Sequence, residues 1–521
     1  MIKNPILKGF NPDPSIIRVG DDFYIATSTF EWFPGVCIYH SKDLKNWELH
    51  STPLNRISQL DMLGVPNGGG IWAPCLTYDN GTFYLVYTNV KERGMFFQTD
   101  NYLVTTDDIN SKWSEPIYLN SDGFDPSLFH DDDGKKWLIN LDNHYKEGQR
   151  FNGLTLTEYD PKKQEIIGLP KKIYENPDTE LVEGSHIYKR NGYYYLLKAQ
   201  GGTGSNHSVQ MSRSRSLFGK YEDCPFIVLT SRDDPKNPLQ CAGHADIVET
   251  QHGEWYMVHL STEHMKNSDT STMGRETCIQ KVKWNDDGWL ELSDGGHNPY
   301  SSVASPLLPE HKFKSDVLCL FSEGKIPKKF FSLRVPLSEK QLSLTARKGY
   351  MRLTGTNGLT SKFQQSLIAQ KLSDFAGSIS TELEFEPDFE KHMAGLVCIY
   401  DTSYWYYLYI TRNTKTKAKE LDLIKMNHEK CEFVLENPIP LDENVPIILK
   451  ADIDNEIVNF SFSYDNEFFA KVGTTQDMKI LTDENVFLGF KGTMVGICCQ
   501  DLHKKDKYAD FKWFKYEKKE I

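Results

Sequence analysis

The chain has 521 residues, 39% of them hydrophobic and 25% charged: an ordinary globular composition at a length that exceeds one hydrophobic core, so at least two domains are expected. A formal net charge of −13 and the absence of any long basic run argue against nucleic acid as a partner, because such binding is dominated by phosphate neutralisation. No apolar stretch reaches the roughly 18 residues of a membrane helix, and MIKNPILKGF lacks the apolar region of a signal peptide, so a cytoplasmic protein with no membrane partner is expected.

Near the start, Asn11-Pro12-Asp13-Pro14-Ser15 clamps a carboxylate between two prolines. Taken alone this is a turn, since each proline fixes its own φ and biases the preceding residue towards extended geometry. The stretch gains meaning from a repeat. Five segments pair a Gly, Asn, Asp or His turn with an aromatic-rich strand: GDDFYIATS at Gly20, NGTFYLVYT at Asn80, DGKKWLIN at Asp133, NGYYYLLKA at Asn191 and HGEWYMVHL at His252. Each reads as the second strand of a β-hairpin.

The strands ahead of these turns also correspond, and their first positions align as Asp13, Ala73, Asp125, Glu183 and His244. Five all-strand units of about 50 to 60 residues suggest a five-bladed β-propeller, in which the first strand of each blade lines the central channel. Asp13, Asp125 and Glu183 would then converge on the axis with His244, while Ala73 leaves room. Like charges crowded at one point cost free energy unless a function needs them. Two facing carboxyls in a polar pocket can hydrolyse a glycosidic bond, one protonating the leaving oxygen while the other activates water or attacks. Aromatics suited to stacking on a sugar stand close by in sequence: Phe30, Trp32 and Phe33 after the first hairpin, and Trp72 beside Ala73.

Two other stretches carry less. HDDDGKK at His130 lacks the acidic spacing of a calcium loop and reads as a hairpin turn, and GGTGS at Gly201 lacks the Lys and following helix of a phosphate loop. The ten cysteines, without any C-x-x-C pair, read as reduced and mostly buried.

After WNDDGWLEL the repeat stops, which bounds the propeller at residues 1–304, and the Pro- and charge-containing stretch 305–322 reads as a linker. From 323 to 521 alternation dominates: Ile379, Thr381, Leu383 and Phe385 interleave with polar residues, as do Val458, Phe460, Phe462 and Tyr464. One buried and one wet face predict a β-sandwich, the second domain of an all-β protein. On a sugar hydrolase such a domain invites the reading of a carbohydrate-binding module.

Taken in order, GFNPDPSI, STFEWFPGV, GIWAP, GFDPSLF, LVEGSHIY, GHADIVET and MGRETCIQKVKW closely resemble family 43 glycoside hydrolases, nearest the two-domain β-xylosidases that often also cleave α-L-arabinofuranosides. The resemblance implies a net-inverting mechanism with Asp13 as general base, Glu183 as general acid and Asp125 tuning the pKa and orientation of that acid. It makes Arg275 a contact to substrate hydroxyls, beside the sugar pocket to which Phe30, Trp72 and Ala73 are already assigned by their place next to the axial carboxylates. It sets His244 below the pocket, where some relatives hold a water or a divalent ion, often calcium; no cofactor is otherwise required. It further implies that the sandwich, jelly-roll or concanavalin-like, lends the pocket a loop, here FKGTMVGICCQD with Met494 where close relatives carry an aromatic. A walled pocket admits only a chain end, so the expected substrate is a short β-1,4-xylo-oligosaccharide cut from its non-reducing end, by a homo-oligomer (dimer or tetramer). The alternatives are an enzyme acting mainly as an α-L-arabinofuranosidase or on arabinan, and, more remotely, a non-catalytic sugar-binding propeller.

Overall fold

Each of the five aromatic-rich stretches forms the second strand of an antiparallel hairpin in the computed structural model, which describes residues 1–94, 96–144, 151–176, 181–313, 318–486 and 489–519. Every hairpin extends into an antiparallel sheet of four strands, with a fifth short strand in one case. Blade 1 comprises Ser15–Val19, Asp22–Thr27, Cys37–Ser41 and Glu48–Ser51; blade 2 comprises Gly70–Asp79, Thr82–Arg93, Phe97–Thr106 and Ile117–Asn120. Blade 3 is Ser127–His130, Lys136–Asn143, Phe151–Asp160 and Glu165–Tyr174. Blade 4 is Val182–Arg190, Tyr193–Gln200, Ser208–Ser214 and Glu222–Asp223, and blade 5 is Gln240–Glu249, Trp255–Thr262, Glu276–Trp284 and Leu290–Leu292. The HDDDGKK stretch is the tight turn of the blade 3 hairpin, where Asp131 N–H donates to the Lys135 carbonyl.

The aromatic and aliphatic residues of the repeat fill the spaces between neighbouring blades. Tyr24, Ile38, Leu76 and Leu85 pack between blades 1 and 2, Tyr84, Val86, Leu128 and Leu138 between 2 and 3, and Ile139, Leu154, Ile187 and Leu196 between 3 and 4. Tyr195, Leu197, Ile247 and Met257 continue between 4 and 5, while Ile16, Phe23, Val258 and Ile279 join blade 5 back to blade 1. Full burial of one such side chain stabilises the fold by about 1.5–3 kcal/mol.

The chain's first residues seal this last junction. Ile2 and Lys3 pair with Val303 and Ser302, and the Asn4 side-chain amide donates to the carbonyls of Ile279 and Tyr300. Leu7 exchanges backbone hydrogen bonds with Thr277, and Asn11 N–H donates to the Arg275 carbonyl.

By contact density the chain forms two compact units: residues 1–263 with 275–313, and residues 264–274 with 314–521. Of the stretch 305–322 read as a linker, residues 314–317 lie outside the described residues. The second unit is a sandwich of two antiparallel sheets. One contains Met351–Thr354, Tyr508–Lys518, Ala376–Glu384, Ile447–Asp454, Ile457–Ser463 and Ala470–Asp477; the other contains Ser366–Lys371, Met494–Asp501, His392–Asp401, Tyr404–Arg412, Lys419–Asn427 and Lys430–Phe433. Ile379, Leu383, Phe385, Val458 and Phe460 share one core with residues of the other sheet, such as Leu396 and Ile497. The alternation ends sooner than the sequence suggests: the strand stops at Ser463, and Tyr464 lies exposed beyond it.

Candidate active site

The starts of the five blades share one backbone device. Asp13, Ala73, Asp125, Gly184 and His244 all adopt left-handed conformations, with φ of 56°, 35°, 54°, 56° and 49°. For a residue with a Cβ this costs about 1–2 kcal/mol, and such strain persists where surrounding structure enforces it. These five residues, together with Ser15, Cys75, Ser127 and His186, line one axial space of about 10 Å³.

This ring corrects the alignment in blade 4, where the equivalent residue is Gly184 and not Glu183. The reason is steric: a Cβ at position 184 would lie 2.9 Å from the His244 ring. The carboxylate therefore stands one residue earlier, at the position that Trp72 and Phe124 hold in blades 2 and 3, with Glu183 opposite Ala199 in the sheet.

The three carboxyls differ sharply in partners. Asp13 Oδ1 accepts from Arg275 Nη1 at 3.0 Å and Oδ2 from Ser28 Oγ at 2.6 Å, while His244 Nδ1 lies 3.7 Å from Oδ1. Burial alone would push the Asp13 pKa up, but Arg275, His244 and Ser28 outweigh it and hold it below its ordinary value. Glu183 is equally buried, and its Oε1 has no hydrogen-bond partner among the described residues. Burial, reinforced by the Asp13 charge and opposed by Arg275, pushes Glu183 up to about 7.

Asp125 accepts the Gly184 N–H at 3.0 Å and lies 4.0 Å from His244 Nδ1. Burial, then the charges of Glu183 and Asp13, raise it well above its ordinary value. The neighbouring charge that raises Glu183 is thus that of Asp13, while Asp125 grips the amide next to Glu183. Below about pH 7 this arrangement pairs an ionised carboxylate with a protonated one in a single buried site, the pairing that acid–base hydrolysis requires.

Around them, Phe30 is 1% exposed, with its ring 5.6 Å from that of Phe10 and 5.8 Å from the Arg275 guanidinium carbon. Trp72 is half-buried, anchored by an indole N–H to the Gly68 carbonyl and edged by Phe124 at 5.4 Å. Ala73 N–H donates to Ser28 Oγ at 2.8 Å, so one hydroxyl ties blade 2 to the Asp13 carboxylate. Trp32 and Phe33 are buried, and Phe33 belongs to the core between blades 1 and 2. Met494 is a buried residue at the start of its strand in the sandwich, opposite Lys371 and Ile399.

Ser28 and His207 escaped sequence reasoning. Ser28 lies in an unremarkable TST triplet, and the only trace of His207 is Gly243, where a Cβ would strike the His207 ring at 2.0 Å. Burial pushes both imidazoles down, His244 to about 4 and His207 to about 3, so both are neutral.

The donors near His244 do not suit calcium, which takes about six to eight oxygens. The space beneath holds about 10 Å³, roughly one water. Both Asp246 oxygens already accept hydrogen bonds, from Ile16 N–H, Ile247 N–H and the Tyr188 hydroxyl.

Residues 2–290 match the model of glycosyl hydrolases family 43, and residues 320–517 match that of the β-xylosidase C-terminal concanavalin A-like domain. The chain is 42% identical to xylosidase/arabinosidase 43B of Humicola insolens, over 99% of this chain and 97% of that protein. It is also 42% identical to a β-xylosidase of Bacillus subtilis strain 168, over 99% and 100% of the two chains. The crystal structure of a xylan β-1,4-xylosidase from Bacillus halodurans C-125 superposes with a TM-score of 0.97 at 48% identity, covering 99% of this chain and 100% of that one. With its five-bladed propeller matching that family's model and its sandwich matching the concanavalin A-like domain, the chain belongs to glycosyl hydrolase family 43.

Proposed function

We propose that the protein is an exo-acting, inverting β-xylosidase that releases D-xylose from the non-reducing end of short β-1,4-xylo-oligosaccharides. The observation that carries its acid–base chemistry is the contrast between two buried carboxyls, Asp13 paired with Arg275 and held below its ordinary pKa while Glu183, its Oε1 without a partner among the described residues, is raised to about 7; the likeness to a xylan β-1,4-xylosidase at 48% identity supports the substrate. Asp13 accepts a proton from a water whose oxygen attacks the anomeric carbon. As the glycosidic C–O bond breaks, Glu183 delivers its proton to the leaving oxygen, and configuration at the anomeric carbon inverts. Arg275 keeps Asp13 ionised and offers donors to substrate hydroxyls, and Asp125 orients the acid through the Gly184 amide. Trp72 supplies the sugar platform, while buried Phe30 supports Arg275 from below. No step is routed through a metal. The ten free cysteines are compatible with work in a reducing compartment on imported oligosaccharides.

The decisive experiment follows by proton NMR the anomer released from a nitrophenyl β-xyloside, which frees only one xylose, beside turnover of xylobiose. α-Xylose should appear first and mutarotate later, and Asp13→Asn and Glu183→Gln should each abolish turnover; initial β-xylose would overturn inversion. A second activity, on α-L-arabinofuranosides, is favoured by the 42% identical relative that carries both activities in its name. Parallel rates on the two nitrophenyl glycosides measure its share.

A further inference from the structure

We propose that the outer face of blade 1 binds one divalent transition cation of the zinc class through His40, Glu48 and His50. The three residues lie on the last two strands of the blade, Cys37–Ser41 and Glu48–Ser51. Tyr24, His40 and Glu48 stand directly opposite one another across three adjacent strands, so their side chains share one face. His50 joins them through an irregularity. Tyr39 pairs with Leu49 and Ile38 with Ser51, which leaves His50 as the extra residue of a β-bulge. Bulges re-aim a side chain at the expense of regular pairing. Here one ligand atom from each of His40, Glu48 and His50 comes within 4.8 Å of the others.

The surroundings resemble those of a metal-binding histidine. His40 Nε2 lies 2.7 Å from Asp22 Oδ1, while Nδ1 faces Glu48 Oε1 at 3.7 Å. A carboxylate on the far ring nitrogen is the usual means of fixing the tautomer and ring orientation of a ligand imidazole. The rings are braced as well: Tyr24 stacks on His40 at 5.2 Å and meets His50 edge-on at 5.9 Å, and Phe313 packs against His40 at 5.9 Å. His40 is 13% exposed and fixed, whereas the Glu48 side chain, 45% exposed, can swing in from solvent to close the site.

Two imidazoles and one carboxylate suit zinc, nickel or cobalt; calcium and magnesium demand oxygen-rich sets. A bound ion would staple the four-residue edge strand Glu48–Ser51 to its neighbour. The same corner receives the stretch 310–313, through Glu310 to Lys45 at 2.8 Å and His311 N–H to Asp43 at 2.8 Å.

The test uses untagged full-length protein stripped with EDTA, titrated with cobalt(II) by visible absorption and with zinc(II) by calorimetry. One equivalent of cobalt should bind with a ligand-field spectrum free of thiolate charge transfer, and zinc should displace it. His50→Ala should lose binding by at least about 100-fold, and Asp22→Asn, which keeps all three ligands, should weaken it by about 10–100-fold. Should His50→Ala fail to fold, Glu48→Gln at the exposed position is read in its place, with loss of binding expected. No stoichiometric binding by the wild type, equal binding by the ligand variants, or a thiolate band pointing to exposed Cys431 would each overturn the proposal.

Discussion

Removing one hydroxyl, in Ser28→Ala, tests the charge state on which the mechanism rests. Ser28 is fully buried, donates to Asp13 Oδ2 at 2.6 Å and accepts the Ala73 N–H at 2.8 Å. A hydrogen bond to a charged group contributes about 1.5–3 kcal/mol, and 1.36 kcal/mol corresponds to one pKa unit or one decade. Ser28 favours the ionised form of Asp13, so its loss moves the Asp13 pKa upward, and the acidic limb of kcat/KM moves to higher pH with it. On that limb the variant should fall about 10- to 150-fold below wild type, with a smaller deficit near neutrality where Asp13 stays ionised. The unpaired Ala73 N–H should also lower stability by about 1–3 kcal/mol. The assay is kcat/KM for a nitrophenyl β-xyloside from about pH 2.5 to 8, so that the wild-type limb below 3.8 is covered, beside a thermal melt. An equal loss at every pH with an unmoved acidic limb would refute both the hydroxyl's role and Asp13 as the ionised base.

Glu183, raised to about 7, should set the alkaline limb, with kcat/KM falling as pH rises through about 7; a limb governed by a group near 9 would contradict the assignment. Glu183→Gln should lose far more activity on xylobiose than on a dinitrophenyl xyloside, whose leaving group needs no proton, and equal losses would exclude a general acid. The same substitution should stabilise the fold at high pH. The native carboxyl holds its proton up to about 7 against an ordinary 4.5, so a penalty absent below 4.5 accrues between those values, reaching on the order of 3 kcal/mol. The thermal midpoint of Glu183→Gln should therefore exceed wild type at pH 8 and match it at pH 4, and no gain at pH 8 would show that the carboxyl is not strained by burial. Gly184→Ala should cost at least about tenfold in activity through the collision with His244, whereas Gly168→Ala, also left-handed but with open space around its Cβ, should cost only about 1 kcal/mol of stability. Equal activity in the two variants would refute the steric account.

The propeller was legible because its hairpins repeat a turn followed by aromatics, a pattern dictated by packing between blades. The axial cluster was legible to within one residue. What fixes the true register is a backbone angle: position 184 must be Gly to admit the His244 ring, and EGS looks like a carboxylate at a strand start until that ring is placed. Ser28 left no trace because a buried hydroxyl hydrogen-bonding across the fold has no local signature. The hydrogen bond from the Gly184 amide to Asp125 was equally silent, since it joins positions 59 apart. The histidines at 40 and 50 were silent in sequence because a bulge brings them together.

The ring is closed by residues from opposite ends of its unit, and the ion pair between Asp13 and Arg275 joins positions 262 apart. Translation at about 5–20 residues per second separates the two by tens of seconds. During that interval the nascent chain carries Asp13 without the guanidinium that offsets its burial, and blade 1 lacks the neighbour that covers Ile16 and Phe23. The Asp13–Arg275 pair is therefore a property of the finished ring. A ribosome-stalled chain ending before blade 5 holds Asp13, Asp125 and Glu183 but neither His244 nor Arg275, so the three carboxyls meet before the cation that offsets them has been made.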